Sequence, residues 1–383
     1  MWTFLLHRYL DCNATCPPVE ASLEAVARVA KQAPGNPSSL HWAGRYARRI
    51  VDDARDTLAA YAGAEAGNVV FTSGGTESNN IAIHSAISVL KPGRVVATAI
   101  EHPAVLEPLQ TLSQSGKGWD VVFVRPDRDG VVTAQSMIEQ ISEDTRLVCM
   151  MLVNNESGVI QPVQQVAMHC RDLGVSMLVD AVQGLGKVPF SFKELNVDFL
   201  SLSGHKIGGP KGVGALLVRR GVKVVELAPG GGQERGRRSG TENVPGIAGF
   251  SAALGVIDFN QFRSIRDAFE AQLMESIPEA VVIAIDTDRV TNTSLIVLPG
   301  LDGETLLMQL DLAGFAVASG SACSSGKRQA SHVLLAMGMN DQAARSSIRV
   351  SFGPGNTLDD ASALVESLVK VRNRLRGMAG LAA

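Results

Sequence analysis

The sequence predicts an α/β protein with a large domain built on a seven-stranded, largely parallel or mixed sheet and a smaller α+β domain after it. Three observations predict this. Seven short apolar runs alternate with helix-length segments along the first two thirds of the chain. These runs are almost continuously apolar rather than alternating with polar residues, the mark of a sheet covered on both faces. After about residue 258 the pattern changes to amphipathic stretches with short strands between them. With 383 residues and 45% apolar content, the chain exceeds what one hydrophobic core usually organises.

In chain order, ASLEAVARVAKQ from residue 21 and HWAGRYARRIVDDARDTLAAY from residue 41 have the periodicity of amphipathic helices leading into the sheet. The strand runs follow: NVVFT at 68, RVVATA at 94, VVFVR at 121, LVCMMLV at 147, VSMLVD at 175, VDFLSLS at 197 and GVGALLV at 212. FRSIRDAFEAQLMESI at 262 and DDASALVESLVKVRNRLR at 359 read as helices of the second domain, and TSLIVLP at 293 as one of its strands. No internal repeat or low-complexity tract interrupts the pattern.

Composition excludes several classes. Thirty-five basic and 38 acidic residues leave a formal charge of -3, without the concentrated basic surface that a nucleic-acid binder needs. No stretch reaches the roughly 18 uninterrupted apolar residues of a membrane span. The opening MWTFLLHRYLD meets Arg8 and Asp11 too soon for a signal-peptide core. Five cysteines (Cys12, Cys16, Cys149, Cys170 and Cys323) are odd in number and sparse, which argues against a disulfide framework and for a reducing compartment, the cytoplasm.

In such folds functional groups gather at the carboxyl ends of the strands, and here the strand ends carry chemistry. FTSGGTESNN places Gly74, Gly75 and Thr76 where a strand turns into a helix, a geometry suited to phosphate. Neither this segment nor the one around Cys323 matches a phosphate-binding Walker loop. SLSGHKIGGPKGVGAL sets Lys206 directly after a strand, flanked by Ser203, Gly204 and His205. Most lysines are solvated surface charges. An amine desolvated in a crevice can instead form a Schiff base with a carbonyl cofactor such as pyridoxal 5′-phosphate. That cofactor needs further partners. Asp180, ending VSMLVD, could pair with its ring nitrogen. His102, in AIEHPAV, could stack on its face and exchange protons. Gln183, in DAVQGLGK, could hydrogen-bond its phenolic oxygen. Cys323 lies in VASGSACSSGKRQASH, where six of the eight residues from Ser319 to Gly326 are Ser or Gly, the composition of a solvated loop rather than of apolar packing.

The order and context of YLDCNAT, GNPSSLHWAGRYAR, FTSGGTESNN, EHPAV, NNESGVIQP, VDAVQGLGK, SGHKIGGPKGVG, GGGQERGRRSGTEN and SGSACSSG resemble the pyridoxal-phosphate-dependent cysteine desulfurases of the NifS/IscS-like branch, in the class V aminotransferase family. The resemblance runs from about residue 8 to past Arg349. It implies a fold type I homodimer with a seven-stranded, mainly parallel sheet. Residues 1–15 would form an arm on the small domain, residues 16–258 the cofactor domain and residues 259–383 the small domain carrying Cys323. It further implies that Lys206 holds the cofactor covalently while Asp180 and Gln183 tune the ring and His102 stacks over it. Gly75, Thr76, Ser203 and His205 would bind the phosphate, with Thr241 reaching in from the other subunit, and Gly204 would also belong to the cofactor site. Asn155 would lie near the cofactor oxygen and the substrate carboxylate, which Arg349 would grip with the planar, bidentate geometry of a guanidinium. Cys323 would take the sulfur of L-cysteine as a persulfide, leaving L-alanine, and pass it to an iron–sulfur scaffold or another acceptor protein. No intrinsic metal is implied, although Cys323 would serve as a transient ligand of a cluster held by a partner.

Cys12 departs from the family pattern, which usually has Asn there, and Cys16 follows four residues later. With no second pair nearby, a zinc site is disfavoured. Cys149 and Cys170 read as core. Two other readings remain at this stage. One is another enzyme of the same fold, an aminotransferase or a selenocysteine lyase; the other is a catalytically silent interaction protein, which the presence of Lys206, Asp180 and His102 opposes.

Overall fold

A computed structural model describes residues 7–319 and 330–378. Cys323 lies outside the described residues. The strands are β1 (Arg8–Tyr9), β2 (Val69–Thr72), β3 (Arg94–Thr98), β4 (Asp120–Val124), β5 (Thr145–Met151), β6 (Ser176–Asp180), β7 (Phe199–Ser203), β8 (Gly214–Val218), β9 (Val281–Val282), β10 (Thr293–Val297), β11 (Phe315–Ala316), β12 (Ala318–Ser319) and β13 (Ser347–Ser351). The seven runs singled out in the sequence are β2 to β8, and they form one sheet in the order β2-β8-β7-β6-β5-β3-β4. β4, β3, β5, β6 and β7 run parallel to one another, whereas β8 is antiparallel to both β7 and β2.

Both faces of this sheet are buried, which is why its strands read as continuous apolar runs. Val95, Ala97, Leu147, Cys149 and Leu178 belong to one core. The intervening Val96, Val148, Met150 and Val179 belong to the other. Cys149 and Cys170 are therefore packing residues, and Cys12 and Cys16 are also buried free thiols. No group of three or more metal-ligating side chains occurs among the described residues.

The early helices are α1 (Glu20–Gln32) and α2 (Trp42–Tyr61). His41 caps α2 by accepting from the Gly44 N–H at 3.2 Å. Two further helices, α3 (Gly75–Val89) and α4 (Pro103–Ser113), begin beyond the carboxyl ends of β2 and β3. A second, antiparallel sheet has the order β12-β13-β10-β9, with the helices Arg263–Ser276 and Leu358–Met378 packed together beside it. β1 pairs in parallel with β11, and an isolated bridge joins Asp11 to Ser351. The chain thereby carries residues 8–16 past the second sheet and on to the loop after β7, where Cys16 N–H donates to the His205 carbonyl at 2.8 Å.

Candidate active site

The carboxyl ends of β2, β3, β5, β6 and β7 converge on a cavity of about 290 Å³, closed by Asn13 and Ala14 from the amino-terminal segment and by Arg349 from β13. Its lining includes Gly75, Thr76, His102, Asn155, Asp180, Gln183, Ser203, His205 and Lys206. Residues spread over more than 330 positions thus meet at one place.

At the first turn of α3, Gly75 leaves no room for a side chain, since a Cβ there would come within 2.6 Å of Val182 Cγ2. The opening amides of a helix have no intrahelical acceptor and carry the positive end of its dipole, so Gly75 and Thr76 present an anion-binding edge. Beside them Ser203, the last residue of β7, is buried, and its Oγ has no hydrogen-bond partner in the chain.

One turn along α3, Asn79 Nδ2 donates to Asp180 Oδ2 at 2.7 Å, and the Val182 N–H donates to Oδ1 at 3.0 Å. Both oxygens of this buried carboxylate are held by donors, which suits a fixed negative charge. His102 caps α4, its Nδ1 accepting the Ala104 N–H at 3.0 Å, so the proton of the neutral ring sits on Nε2. Burial pushes its pKa down, Asp180 pulls it back up, and Lys206 and His332 lower it further. Just before it Glu101 is fully enclosed. Oε1 accepts from Thr98 Oγ1 at 2.6 Å and from the Met151 N–H at 2.7 Å, and burial pushes the carboxyl up to about 8. Through these two bonds Glu101 ties the ends of β3 and β5 together.

After β7 the chain makes a tight turn over Gly204–Lys206. Lys206 Nζ donates to the carbonyls of Asn13 at 2.7 Å and Ala14 at 2.9 Å. His205 Nδ1 is 3.0 Å from Thr15 Oγ1, and burial, with Lys206 and Lys211 nearby, lowers its pKa to about 4. The imidazole is neutral at pH 7. Gln183 Nε2 donates to the Asn13 carbonyl at 2.9 Å, leaving one amide hydrogen uncommitted, and its Oε1 accepts from Lys187 Nζ at 2.6 Å. Arg349 donates through Nη1 to the Asn155 carbonyl at 2.9 Å and through Nη2 to Asp11 Oδ1 at 2.7 Å.

Two expected residues are not brought to the cavity. The Gly204 amide already donates to the Val213 carbonyl at 3.0 Å, and a Cβ at Gly204 would press on Phe250 at 3.1 Å. Its glycine serves close packing. Thr241 is exposed and does not line the cavity. The segment before it is fastened to α2 and α3: Glu234, at φ 49°, receives Arg55 Nη1 and Nη2 at 2.8 and 2.7 Å, and Arg238 Nε meets Glu77 Oε1 at 2.9 Å. Two residues that sequence reasoning did not single out line the cavity, Asn13 and Asn79, and a third, Lys187, lies outside the lining and donates to Gln183. Asn79 follows Gly75 by four residues and Lys187 follows Gln183 by four; this spacing was the available signal.

The Aminotransferase class-V family matches residues 8–364. The chain belongs to the class-V aminotransferase family. Among relatives of this family, it is 38% identical over 376 residues to Cysteine desulfurase 2 of Trichormus variabilis, an alignment spanning 97% of this chain and 94% of the relative. A solved NifS-like protein is 34% identical with a TM-score of 0.88, over 96% of this chain and 99% of that one. SspA, solved in complex with cysteine, is 30% identical with a TM-score of 0.82, over 91% of this chain and 100% of that one.

Class-V members use pyridoxal 5′-phosphate, and the cavity fits that group. Ser203 Oγ, Asn155 Oδ1, Asn79 Oδ1 and Arg349 Nε, all on lining residues, are buried without a hydrogen-bond partner. Orphaned polar atoms of this kind are costly unless a ligand satisfies them. The donor set, with an amine, a helix edge and a guanidinium, matches an aldehyde bearing a phosphate together with a carboxylate substrate.

Proposed function

We propose that this protein is a pyridoxal-phosphate-dependent cysteine desulfurase that converts L-cysteine to L-alanine, takes the sulfur onto Cys323 as a persulfide, and supplies iron–sulfur cluster assembly. The observation that carries this reading is the cavity that gathers Lys206, Asp180, His102, Ser203 and Arg349, in a chain whose relatives are named cysteine desulfurases over nearly its whole length.

Lys206 would hold the cofactor covalently, with Gly75, Thr76, Ser203 and His205 around its phosphate and Asp180 at its ring nitrogen. The cofactor supplies an electron sink that lets the substrate Cα lose its proton and weakens the Cβ–S bond. The chain supplies the rest. Asp180, held on both oxygens, keeps a proton at the ring nitrogen. Lys206 Nζ, once released, takes the Cα proton. His102 offers its Nε2 to the cavity and can pass a proton without having to lose a charge first. Arg349 and Asn155 fix the substrate carboxylate, and Gln183 donates its remaining amide hydrogen toward the phenolic oxygen. In net terms cysteine and the Cys323 thiol give alanine and a Cys323–S–SH persulfide, with no external oxidant or reductant. Incubation with L-cysteine followed by intact-mass measurement tests this: one added sulfur per chain and an equal amount of alanine are expected, and alanine without added sulfur or sulfide would overturn it.

Thr241 is exposed, on a segment anchored outside its own cavity, which supports a homodimer in which it reaches the partner's phosphate. The free, buried thiols suit the reducing cytoplasm, and no helix among the described residues is long and apolar enough to cross a membrane.

Two substitutions test individual roles. Asp180→Asn is expected to retain cofactor but lower kcat by about 100-fold or more, the scale of losing one preorganised charge partner. Undiminished kcat would mean another group supplies the charge. Thr241→Ala removes one phosphate donor and is expected to raise the cofactor dissociation constant by roughly 2- to 10-fold, the worth of one hydrogen bond. An unchanged constant in equilibrium dialysis would refute the role across the interface.

A further inference from the structure

Lys187 is a buried lysine without an obvious reason to be one. It lies beneath the cavity, outside its lining, on the turn that carries Gln183. Its Nζ donates at 2.6 Å to Gln183 Oε1 and at 2.6 Å to Asn13 Oδ1, and it sits 5.1 Å from the centre of the Phe259 ring. A buried ammonium is expensive unless it is hydrogen-bonded, and packing alone would be served by an apolar chain of equal length.

What the lysine does is set the orientation of two neighbours. A side-chain amide can turn over, exchanging its oxygen and nitrogen. As an ammonium Lys187 only donates, so it takes Gln183 Oε1; the Asn13 carbonyl only accepts in either state, so it takes Gln183 Nε2 at 2.9 Å. The two constraints agree and leave an N–H, not an oxygen, to serve the cavity. Asn13 is held at its side chain as well: Oδ1 accepts from Lys187 Nζ and from Asn292 Nδ2 at 3.3 Å, Nδ2 donates to Thr293 Oγ1 at 2.9 Å, and the carbonyl receives Lys206 Nζ at 2.7 Å. One amine thus bonds both the donor at the cavity wall and the residue whose carbonyl seats Lys206.

We propose that Lys187 is a positioning residue of this active site, holding Gln183 as a hydrogen-bond donor into the cavity and Asn13 as the carbonyl seat of Lys206. The proposal rests on the pyridoxal-phosphate reading above. Burial lowers the pKa of Lys187 to about 7, with Cys12 and Cys16 raising it and Lys206 and Arg349 lowering it. Both carbonyl contacts survive its deprotonation, because a neutral amine still has two N–H groups. Those four groups are also the charges or potential charges facing it: two thiols from the amino-terminal segment, Lys206 from the turn after β7 and Arg349 from β13.

The test compares wild-type holoenzyme with Lys187→Met, which keeps length but loses both donors and charge, and Lys187→Gln, which keeps N–H donors without charge. Lys187→Met is expected to lower kcat by about tenfold or more, the scale of misplacing reacting groups, with a smaller change in KM for cysteine. Its bound-cofactor absorbance should titrate at higher pH than in wild type, because a cation near Lys206 has gone. Lys187→Gln should recover most of kcat while keeping the displaced titration. Wild-type kcat and titration in Lys187→Met would overturn the proposal, as would a Lys187→Gln enzyme no faster than Lys187→Met. If Lys187→Met does not fold, Lys187→Gln decides alone: a wild-type titration midpoint or a tenfold loss of kcat overturns the proposal. If wild type itself binds no cofactor and does not consume cysteine, it is the functional reading that fails.

Discussion

Lys206→Ala is expected to abolish alanine formation from cysteine, a fall of at least about 10⁴-fold, because it removes two roles at once. General-base transfer from a positioned group alone contributes about 10²- to 10⁴-fold, and the covalent hold on the cofactor is lost with it. The fold should survive. Lys206 Nζ donates to the carbonyls of Asn13 and Ala14, and both face a cavity that water can enter, so loss of these bonds should lower stability by about 1 kcal/mol. The measurement is paired: alanine release after addition of cysteine, and thermal unfolding of the variant beside wild type. A folded Lys206→Ala protein that turns over cysteine at the wild-type rate would remove the lysine from the mechanism and with it the functional reading.

The sheet was legible because parallel strands buried on both faces carry an unusually plain signal: all seven runs became β2 to β8. The order in which they lie was not legible from the runs. β8 enters beside β2 and antiparallel to it, a tertiary arrangement that leaves no trace in a single strand's apolar pattern. At the site, residues at the ends of strands could be named because a strand end followed by Gly, Ser or Lys points into the crevice. Gln183 could be named, but not the Lys187 beneath it, since a lysine reads as solvated surface until its burial is seen. The packing role of Gly204 was not legible either: its place beside Lys206 does not reveal that it is packed on Phe250 with its N–H committed to Val213. Asn13 was invisible to local reasoning altogether, because its importance comes from the return of the amino-terminal segment to the loop after β7.

Cys323→Ser is expected to separate the two halves of the reaction. Cys323 itself lies outside the described residues, but the chain on either side is fixed close to the cavity. Ala318 pairs with Arg349 and Ser319 with Ile348; on the far side Ser331 Oγ donates to Glu156 Oε2, and His332 Nε2 lies 3.0 Å from the Glu101 carbonyl. The substitution keeps shape and polarity and exchanges a sulfur nucleophile for a hydroxyl, which is weak unless a base activates it. A free thiol with a pKa near 8.5 is already a few per cent thiolate at neutral pH, so the difference in attack on the substrate sulfur should be large, about 100-fold or more in alanine release. In the proposed mechanism, binding of cysteine and removal of its Cα proton depend on Arg349, Lys206 and the cofactor, not on this thiol. Addition of cysteine should therefore still change the absorbance of the bound cofactor, while intact-mass measurement finds no added sulfur. Both arms are needed, since loss of the absorbance change as well would indicate a damaged site. Alanine and sulfide released by Cys323→Ser at the wild-type rate would show that the sulfur leaves without Cys323, and the persulfide step would have to be withdrawn.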